Sequence, residues 1–354
     1  MSDERPQLGV VVVTFNAADV ILENLESLLA QRGDVALDVV VVDNGSPDQT
    51  PQVIRDWAAG TAPFAADLPF ELPPCPKPVT LAGAEGPCPE NTLERPGITV
   101  IETGLNTGFA GGVNRGLAYL AARSKADRFW ILNPDGAAAP GSALAFATDH
   151  PAPFSLLGGR VIYTHEPDTI QIDGGLVNAR TGITGNVHLG QSSSAAPAPD
   201  PAAMQFITGA SMVASRAFYD AVGPMPEEYF LYYEEVDWAY RRPAGLPFGY
   251  VPGGIVYHRA GTSIGSPTLE RVAAPFSQYF KHRGRMRFVR RHLPRARLTA
   301  TAYTLAKAAQ YVLKGHRAEA AALLRGSFDM APPKAVHDRL APAARALAFG
   351  SFEP

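Results

Sequence analysis

The chain reads as an α/β protein: a mostly parallel open sheet with helices on both faces, followed by a helical C-terminal extension. Two observations predict the sheet. Short β-rich runs alternate with helical patterns over the first 150 residues. Those runs are uniformly apolar, as strands buried on both faces require. A third observation predicts the extension: past His258 the spacing of apolar residues becomes helical.

The first strand is Val10 to Thr14 (VVVVT), and the helix after it carries Ile21, Leu25, Leu28 and Leu29 at helical spacing. The second strand is Val39 to Asp43 (VVVVD), the third Ile98 to Glu102 and the fourth Phe129 to Leu132. Between the second and third, Thr61 to Pro96 holds nine prolines in 36 residues. That density forbids helix interiors and central strands, so residues 61–96 are expected to form a surface insertion. Gln191 to Ala203 (QSSSAAPAPDPAA) reads as a mobile loop and a candidate lid. Helical patterns then run over Leu269 to His292, Ala296 to Leu313 and Arg317 to Leu324. The expected division is a domain over 1–262 and a basic helical segment over 263–354.

Bulk properties exclude several classes. The composition is that of a folded protein, 46% hydrophobic and 18% charged. No apolar run approaches the length needed to cross a bilayer, and the start MSDERPQ has no apolar signal region. Only Cys75 and Cys88 occur, which predicts no disulfide framework and a reducing, cytoplasmic setting. The net charge of −3 conceals an asymmetry: Lys281 to Arg325 carries +11 and the remainder −14. Such a basic segment on an acidic body points to an anionic surface as partner.

In an open parallel sheet, ligands bind beyond the carboxyl ends of the strands. The polar clusters fall there. The first strand ends in Thr14-Phe15-Asn16, the second in Asp43-Asn44-Gly45-Ser46, and the fourth in Asn133-Pro134-Asp135. The third leads into GLNTGFAGGVNRG, Gly104 to Gly116, which contains Asn106 and Gly108. Those glycines let backbone approach a ligand, and the following helix start offers N–H groups to a phosphate. Any one cluster alone is an ordinary turn former; successive clusters at strand ends mark a site. A dinucleotide-binding fold needs a glycine-rich turn directly after the first strand, and TFNAADV has none. Further on, YFLYYEEVDW (Tyr229 to Trp238) supplies Glu235 and Asp237, and VYHRAG supplies His258. Asp135 and His258 suit a divalent cation, and Glu235 suits a proton acceptor. Asp237 lies two residues on and faces away from Glu235; its alternative is an ion pair with Arg241.

The ordered motifs VVVTFN, VVVDNGS, GLNTGFAGGVNRG, LNPDG, FITGAS, YFLYYEEVDW and VYHRAG resemble family 2 glycosyltransferases of GT-A fold, in particular bacterial rhamnosyltransferase and galactofuranosyltransferase-like members. The resemblance covers Leu8 to Gly261 and extends loosely into the tail. It implies an inverting hexosyltransferase using a nucleoside-diphosphate sugar, acting on a glycan or lipid-linked acceptor in cell-surface polysaccharide synthesis. Asp135 then occupies the family's metal-binding carboxylate position, with His258 as a further ligand to Mg²⁺ or Mn²⁺. Thr14, Asn16, Asp43, Asn44, Asn106, Gly108 and Asn133 fall at the nucleotide and its phosphates. Glu235 stands where the family places an aspartate base, a departure of one methylene; Asp237 is its neighbouring alternative.

Two other functions stay open on the residues: a nucleotide-sugar binder without turnover, and a nucleotidyltransferase, which would want a basic phosphate loop near the first strand. The tail begins with FSQYFKHRGRMRFVRRHL, whose Phe276, Tyr279, Met286, Val289 and Leu293 form an apolar stripe broken at Arg283. Lys281, Arg285, Arg287 and Arg291 lie off it. This reads equally as a membrane-surface helix, which would place the protein at the inner face of the cytoplasmic membrane, or as a packed helix or subunit contact. Nucleic acid is disfavoured by the acidic body and the absence of interleaved aromatics.

Overall fold

The computed structural model describes residues 5–62, 64–259 and 272–350. Its first half is built as the alternation of runs demands. Strands β1 (Gln7–Thr14), β2 (Ala36–Asp43), β3 (Thr80–Ala82), β4 (Gly97–Glu102) and β5 (Arg128–Leu132) alternate with helices α1 (Ile21–Leu29), α2 (Thr50–Ala59) and α3 (Gly108–Arg123). β6 (Gly136–Ala138), α4 (Ser142–Thr148), β7 (Leu156–Tyr163), β8 (Glu166–Ile172), β9 (Gly175–Val177) and β10 (Thr184–Asn186) follow. Then come β11 (Ser211–Ser215), α5 (Arg216–Val222), α6 (Glu234–Tyr240) and β12 (Gly249–His258). The C-terminal part is helical: α7 (Pro275–His292), α8 (Arg297–Leu313), α9 (Arg317–Ser327), α10 (Lys334–His337) and α11 (Pro342–Phe349).

The main sheet runs β3-β4-β2-β1-β5-β11-β7-β12-β6, with β8 on β7. β3, β4, β2, β1 and β5 are mutually parallel; β11 enters antiparallel between β5 and β7. Because side chains alternate along β1, Val10 and Val12 enter one core with α1, α2 and α4, while Val11 and Val13 enter the other with α3 and α6. Both faces are therefore dry, which is why these strands read as unbroken valine.

The Pro-rich insertion is irregular surface chain except for β3, which pairs only at the sheet edge. Cys75 and Cys88 are free thiols. The glycine run of α3 has a different purpose from the one its sequence suggested. A Cβ at Gly112 would lie 2.5 Å from Val13 Cγ1 and one at Gly116 2.4 Å from Val11 Cγ1. These glycines bring the helix onto the sheet rather than a ligand onto the backbone.

Two further expectations are corrected. Gln191 to Ala203 is pinned, not mobile: Arg160 donates to the carbonyls of Ser193, Ala196 and Pro197, and Asp168 accepts from Ser192 and Ser194. The first tail helix begins at Pro275; the expected start at Leu269, and the boundary at 262–263, lie outside the described residues. α7 is buried on almost every side, including Arg283 at 4% exposure and Arg285 at 1%. Arg283, Arg287 and Arg290 converge on Asp329 at 2.8, 2.9 and 3.0 Å. The membrane-surface reading does not suit α7 itself, because the helix is buried and Arg283, Arg287, Arg290 and Arg291 pair with carboxylates of the protein. Among the described residues no helix is long and apolar enough to cross a membrane.

Candidate active site

At the carboxyl ends of β1, β2, β4 and β5 the sheet opens into a cleft. Asn16, Asn44, Asn106, Gly108, Asn133, Asp135 and His258 line it, joined by Phe109, Phe230, Leu231, Phe276 and Arg339. Register explains how residues so far apart in sequence meet. β6 pairs antiparallel with the end of β12, so that His258 stands opposite Gly136, the residue after Asp135. Asn24 on α1 holds the turn from behind, its amide donating to the carbonyls of Asn133 and Gly136.

His258 Nε2 lies 3.1 Å from Asp135 Oδ1 and 3.3 Å from Asn133 Nδ2, while Nδ1 donates to Gln171 Oε1 at 2.8 Å. The Gln171 acceptor holds the hydrogen on Nδ1, so a neutral His258 offers its Nε2 lone pair on the side of the Asp135 carboxylate. Imidazole nitrogen and carboxylate oxygen converging on one point are donors that a divalent cation takes. Two donors on an ion with bonds of about 2.1 Å at right angles stand about 3 Å apart, which matches the observed separation. The residues therefore fit a divalent metal. Among the described residues no third His, Cys, Asp or Glu joins them, so donor oxygens and water would fill the other positions.

Asn44 is the organiser of the nucleotide side. Its Oδ1 accepts from the Thr107 amide and hydroxyl, and its Nδ2 donates to the Gly108 carbonyl. Asn106 Oδ1 accepts from the Gly108 amide, and the Phe109 amide donates to the Phe230 carbonyl. The Gly108 and Phe109 amides are thus already used, and the expectation that they offer themselves to a phosphate is corrected. Gly108 adopts φ +77°, and an added Cβ would lie 2.3 Å from the Phe230 oxygen, so this close crossing admits glycine alone. Thr14 is fully buried and lies outside the cleft lining, so direct ligand contact is corrected too. Its hydroxyl donates to Asp43 Oδ1 at 3.0 Å, and the Ser46 amide donates to Oδ2, which orients Asp43 below the floor at 4% exposure.

Asp237 is not a base. Fully buried, it accepts from Tyr229, Arg291 and His292 at 2.7, 2.9 and 3.0 Å, and pairs with Arg241 at 2.5 Å. Burial opposes its charge, but the His292, Tyr229 and Arg291 hydrogen bonds and the Arg241 charge outweigh that and hold the carboxyl far below its ordinary range. The Arg241 pairing anticipated from spacing is present. Because the folded-state value is depressed, this stabilisation is complete above the unfolded value near 3.8 and is lost as pH falls below it. Asp237→Asn is expected to cost about 3 kcal/mol at pH 7 by urea titration, with a gap that narrows below pH 4.

Glu235 occupies the first turn of α6. Desolvation raises its carboxyl, partly offset by the Lys281 charge. Glu234, at 2% exposure and with Oε2 lacking a hydrogen-bond partner among the described residues, is raised further by burial and by Glu235. Neither lines the cleft itself; Phe230 and Leu231, at the other end of the same segment, do. Phe230, Tyr232 and Tyr233 all take positive φ, at 65°, 67° and 74°. Three such aromatics in four residues mark backbone held against its preference between cleft and carboxylates.

Sequence reasoning missed Gln171, Glu234 and Arg339. Gln171 sits in a strand whose pairing was not legible; Glu234 was hidden beside Glu235; Arg339 belongs to no motif. The Arg339 guanidinium lies 4.8 Å from the Phe276 ring centre, and with Asp135 it supplies the formal charges of the described lining.

Comparison with known proteins bears on the family and the fold. Residues 9–84 match the family model for Glycosyl transferase family 2. The succinoglycan biosynthesis protein ExoO of Rhizobium meliloti (strain 1021) is 46% identical over 52 residues, 15% of this chain and 15% of that protein. The chain is also similar to the mannosyltransferase PcManGT from Pyrobaculum calidifontis, solved in complex with GDP-Man and Mn²⁺, at 16% identity and a TM-score of 0.50. That likeness covers 92% of this chain and 87% of the other. S. aureus TarS residues 1–349 are similar at 15% identity and TM-score 0.46, covering 97% and 88%. The chain thus has the GT-A fold, and its residues 9–84 carry the sequence signature of glycosyl transferase family 2.

Proposed function

We propose that this protein is a metal-dependent glycosyltransferase that transfers a sugar, rhamnose or a similar hexose, from a nucleoside-diphosphate donor to a hydroxyl of a glycan or lipid-linked acceptor. Cell-surface polysaccharide synthesis is its proposed setting, supported by the family signature over residues 9–84 and the ExoO similarity. The observation that carries the chemical reading is the Asp135–His258 pair at 3.1 Å on the rim of an asparagine-lined cleft. Mn²⁺ or Mg²⁺ held there would neutralise charge on the departing diphosphate.

The chain's own residues do the rest. Asn44 and Asn106 fix the loop on which the nucleotide would rest, and Asp43, held by Thr14 and the Ser46 amide, supports that floor from below. Arg339, in the same lining, would supply a guanidinium to the phosphates. We assign the base role to Glu235, which stands four residues beyond Leu231 of the cleft lining rather than in the lining itself: it would accept the proton of the acceptor hydroxyl as that oxygen attacks the anomeric carbon; the bond from that carbon to the diphosphate breaks, and the nucleoside diphosphate leaves with the electron pair. Single displacement of this kind inverts the anomeric configuration.

The test is release of nucleoside diphosphate from a panel of nucleotide sugars, with Mn²⁺ and membrane-extracted glycan acceptors. Release from one donor that requires the acceptor is expected. Equal release by the wild type and by Asp135→Ala would defeat the proposal.

A further inference from the structure

α8 is built inside out. The face it packs against the protein is small: Ala300 and Thr304 are 0% exposed and Ala308 4%. Arg285 of α7 reaches this face, donating to Thr304 Oγ1 and the Ala300 carbonyl. The large apolar side chains point the other way, with Leu298 at 85% exposure, Leu305 at 52%, Val312 at 48% and Leu313 at 88%. Leu298, Leu305 and Val312 recur every seven residues, with exposed Ala302 and Ala309 between them, so they form one stripe along the helix. Solvent does not explain an apolar stripe of this kind on a helix whose core face is made of alanine and threonine.

Charge decides what covers it. Arg295 and Arg297 at the start of α8, and Lys314 and Arg317 just past its end, are exposed cations. No Asp or Glu occurs from residue 281 to 318. Arg180, also exposed, sits beside the helix start, its carbonyl accepting from Thr299. A second copy laid along this face would bring cations against cations whichever way it ran. An anionic bilayer satisfies both features, taking the leucines at the acyl boundary and the cations at the headgroups.

We infer that the outer face of α8 is a peripheral docking surface for an anionic lipid bilayer, with Leu298, Leu305, Val312 and Leu313 as the inserted side chains. The inference rests on the surface of the tail and not on the transferase reading, whose failure would leave it standing. It replaces α7, which is buried and whose Arg283, Arg287, Arg290 and Arg291 are paired within the protein, as the membrane-facing element.

Co-sedimentation of the full chain with phosphatidylcholine vesicles, with and without phosphatidylglycerol, tests it in the absence of donor and acceptor. Binding to the phosphatidylglycerol vesicles is expected at low salt, weakening as salt rises. The double substitution Leu298→Asp/Leu305→Asp is expected to lower the apparent partition coefficient at least about tenfold. Arg295→Glu/Lys314→Glu, which alters exposed positions only, is expected to lower it comparably and to flatten the salt dependence. Wild-type protein that ignores phosphatidylglycerol vesicles at low salt overturns the inference. So does a dimer, measured by light scattering, that the leucine substitutions dissociate, because a second copy would then own the stripe.

Discussion

Asp135→Ala should abolish metal-dependent transfer, lowering kcat/KM by about a thousandfold. In the proposed reaction several kcal/mol of charge stabilisation at the leaving group pass through this carboxylate. Folding should be untouched, since Asp135 lies outside the hydrophobic clusters that build both faces of the sheet. His258→Ala removes the second donor but leaves the carboxylate, so a smaller loss is expected, recovered in part by raised Mn²⁺. Gln171→Ala tests the positioning arm: without its acceptor at 2.8 Å, Nδ1 no longer fixes the tautomer, and metal affinity should fall about 10- to 100-fold. Metal titration of turnover separates the three, because only Asp135→Ala should fail to recover at any concentration.

Glu235→Gln carries the second large effect, in two opposite directions. Transfer should fall by at least about a hundredfold, since the amide keeps the shape but accepts no proton. Thermal stability should rise at neutral pH. Burial raises the Glu235 carboxyl, so the folded state binds its proton more tightly than the unfolded one does. Its charged form therefore destabilises the fold increasingly as pH rises above the unfolded value near 4.5, and the neutral amide removes that cost. The same direction shapes the rate profile: activity should fall as pH drops through the raised value, because the base must be free. A variant that loses transfer and loses stability together would assign Glu235 to structure instead.

Much of this architecture is legible in the chain because it is local. Val10 to Val13 can only be a strand with two dry faces, and the clusters ending in Asn16, Asn44 and Asp135 then fall at one edge by topology. What stays hidden is set by contacts distant in sequence. Asp237 looks as eligible as Glu235 until α7 delivers Arg291 and His292 onto it from more than fifty residues away. Thr14 ends its strand like a ligand-facing residue, but its hydroxyl turns to Asp43 and the residue is fully buried. The α3 glycines carry the composition of a phosphate loop while serving helix-to-sheet contact with Val11 and Val13. Arg339 reaches the cleft because α10 and α11 fold back over Phe276 and Phe230, a packing that no periodicity in the tail announces. The apolar stripe sought on α7 exists on α8, where burial pattern rather than composition reveals it.

The central claim is that Asp135 and His258 hold a divalent cation together with a nucleoside diphosphate. Electron paramagnetic resonance of Mn²⁺ titrated into the protein reads it most directly, alone and with UDP, GDP or dTDP. With one of these diphosphates the wild type should lower the free-Mn²⁺ signal beyond the loss that the diphosphate alone causes, by formation of a ternary complex, and Asp135→Ala should show only the diphosphate's own loss. An excess loss that persists unchanged in Asp135→Ala, or no excess with any of the three diphosphates, would contradict it.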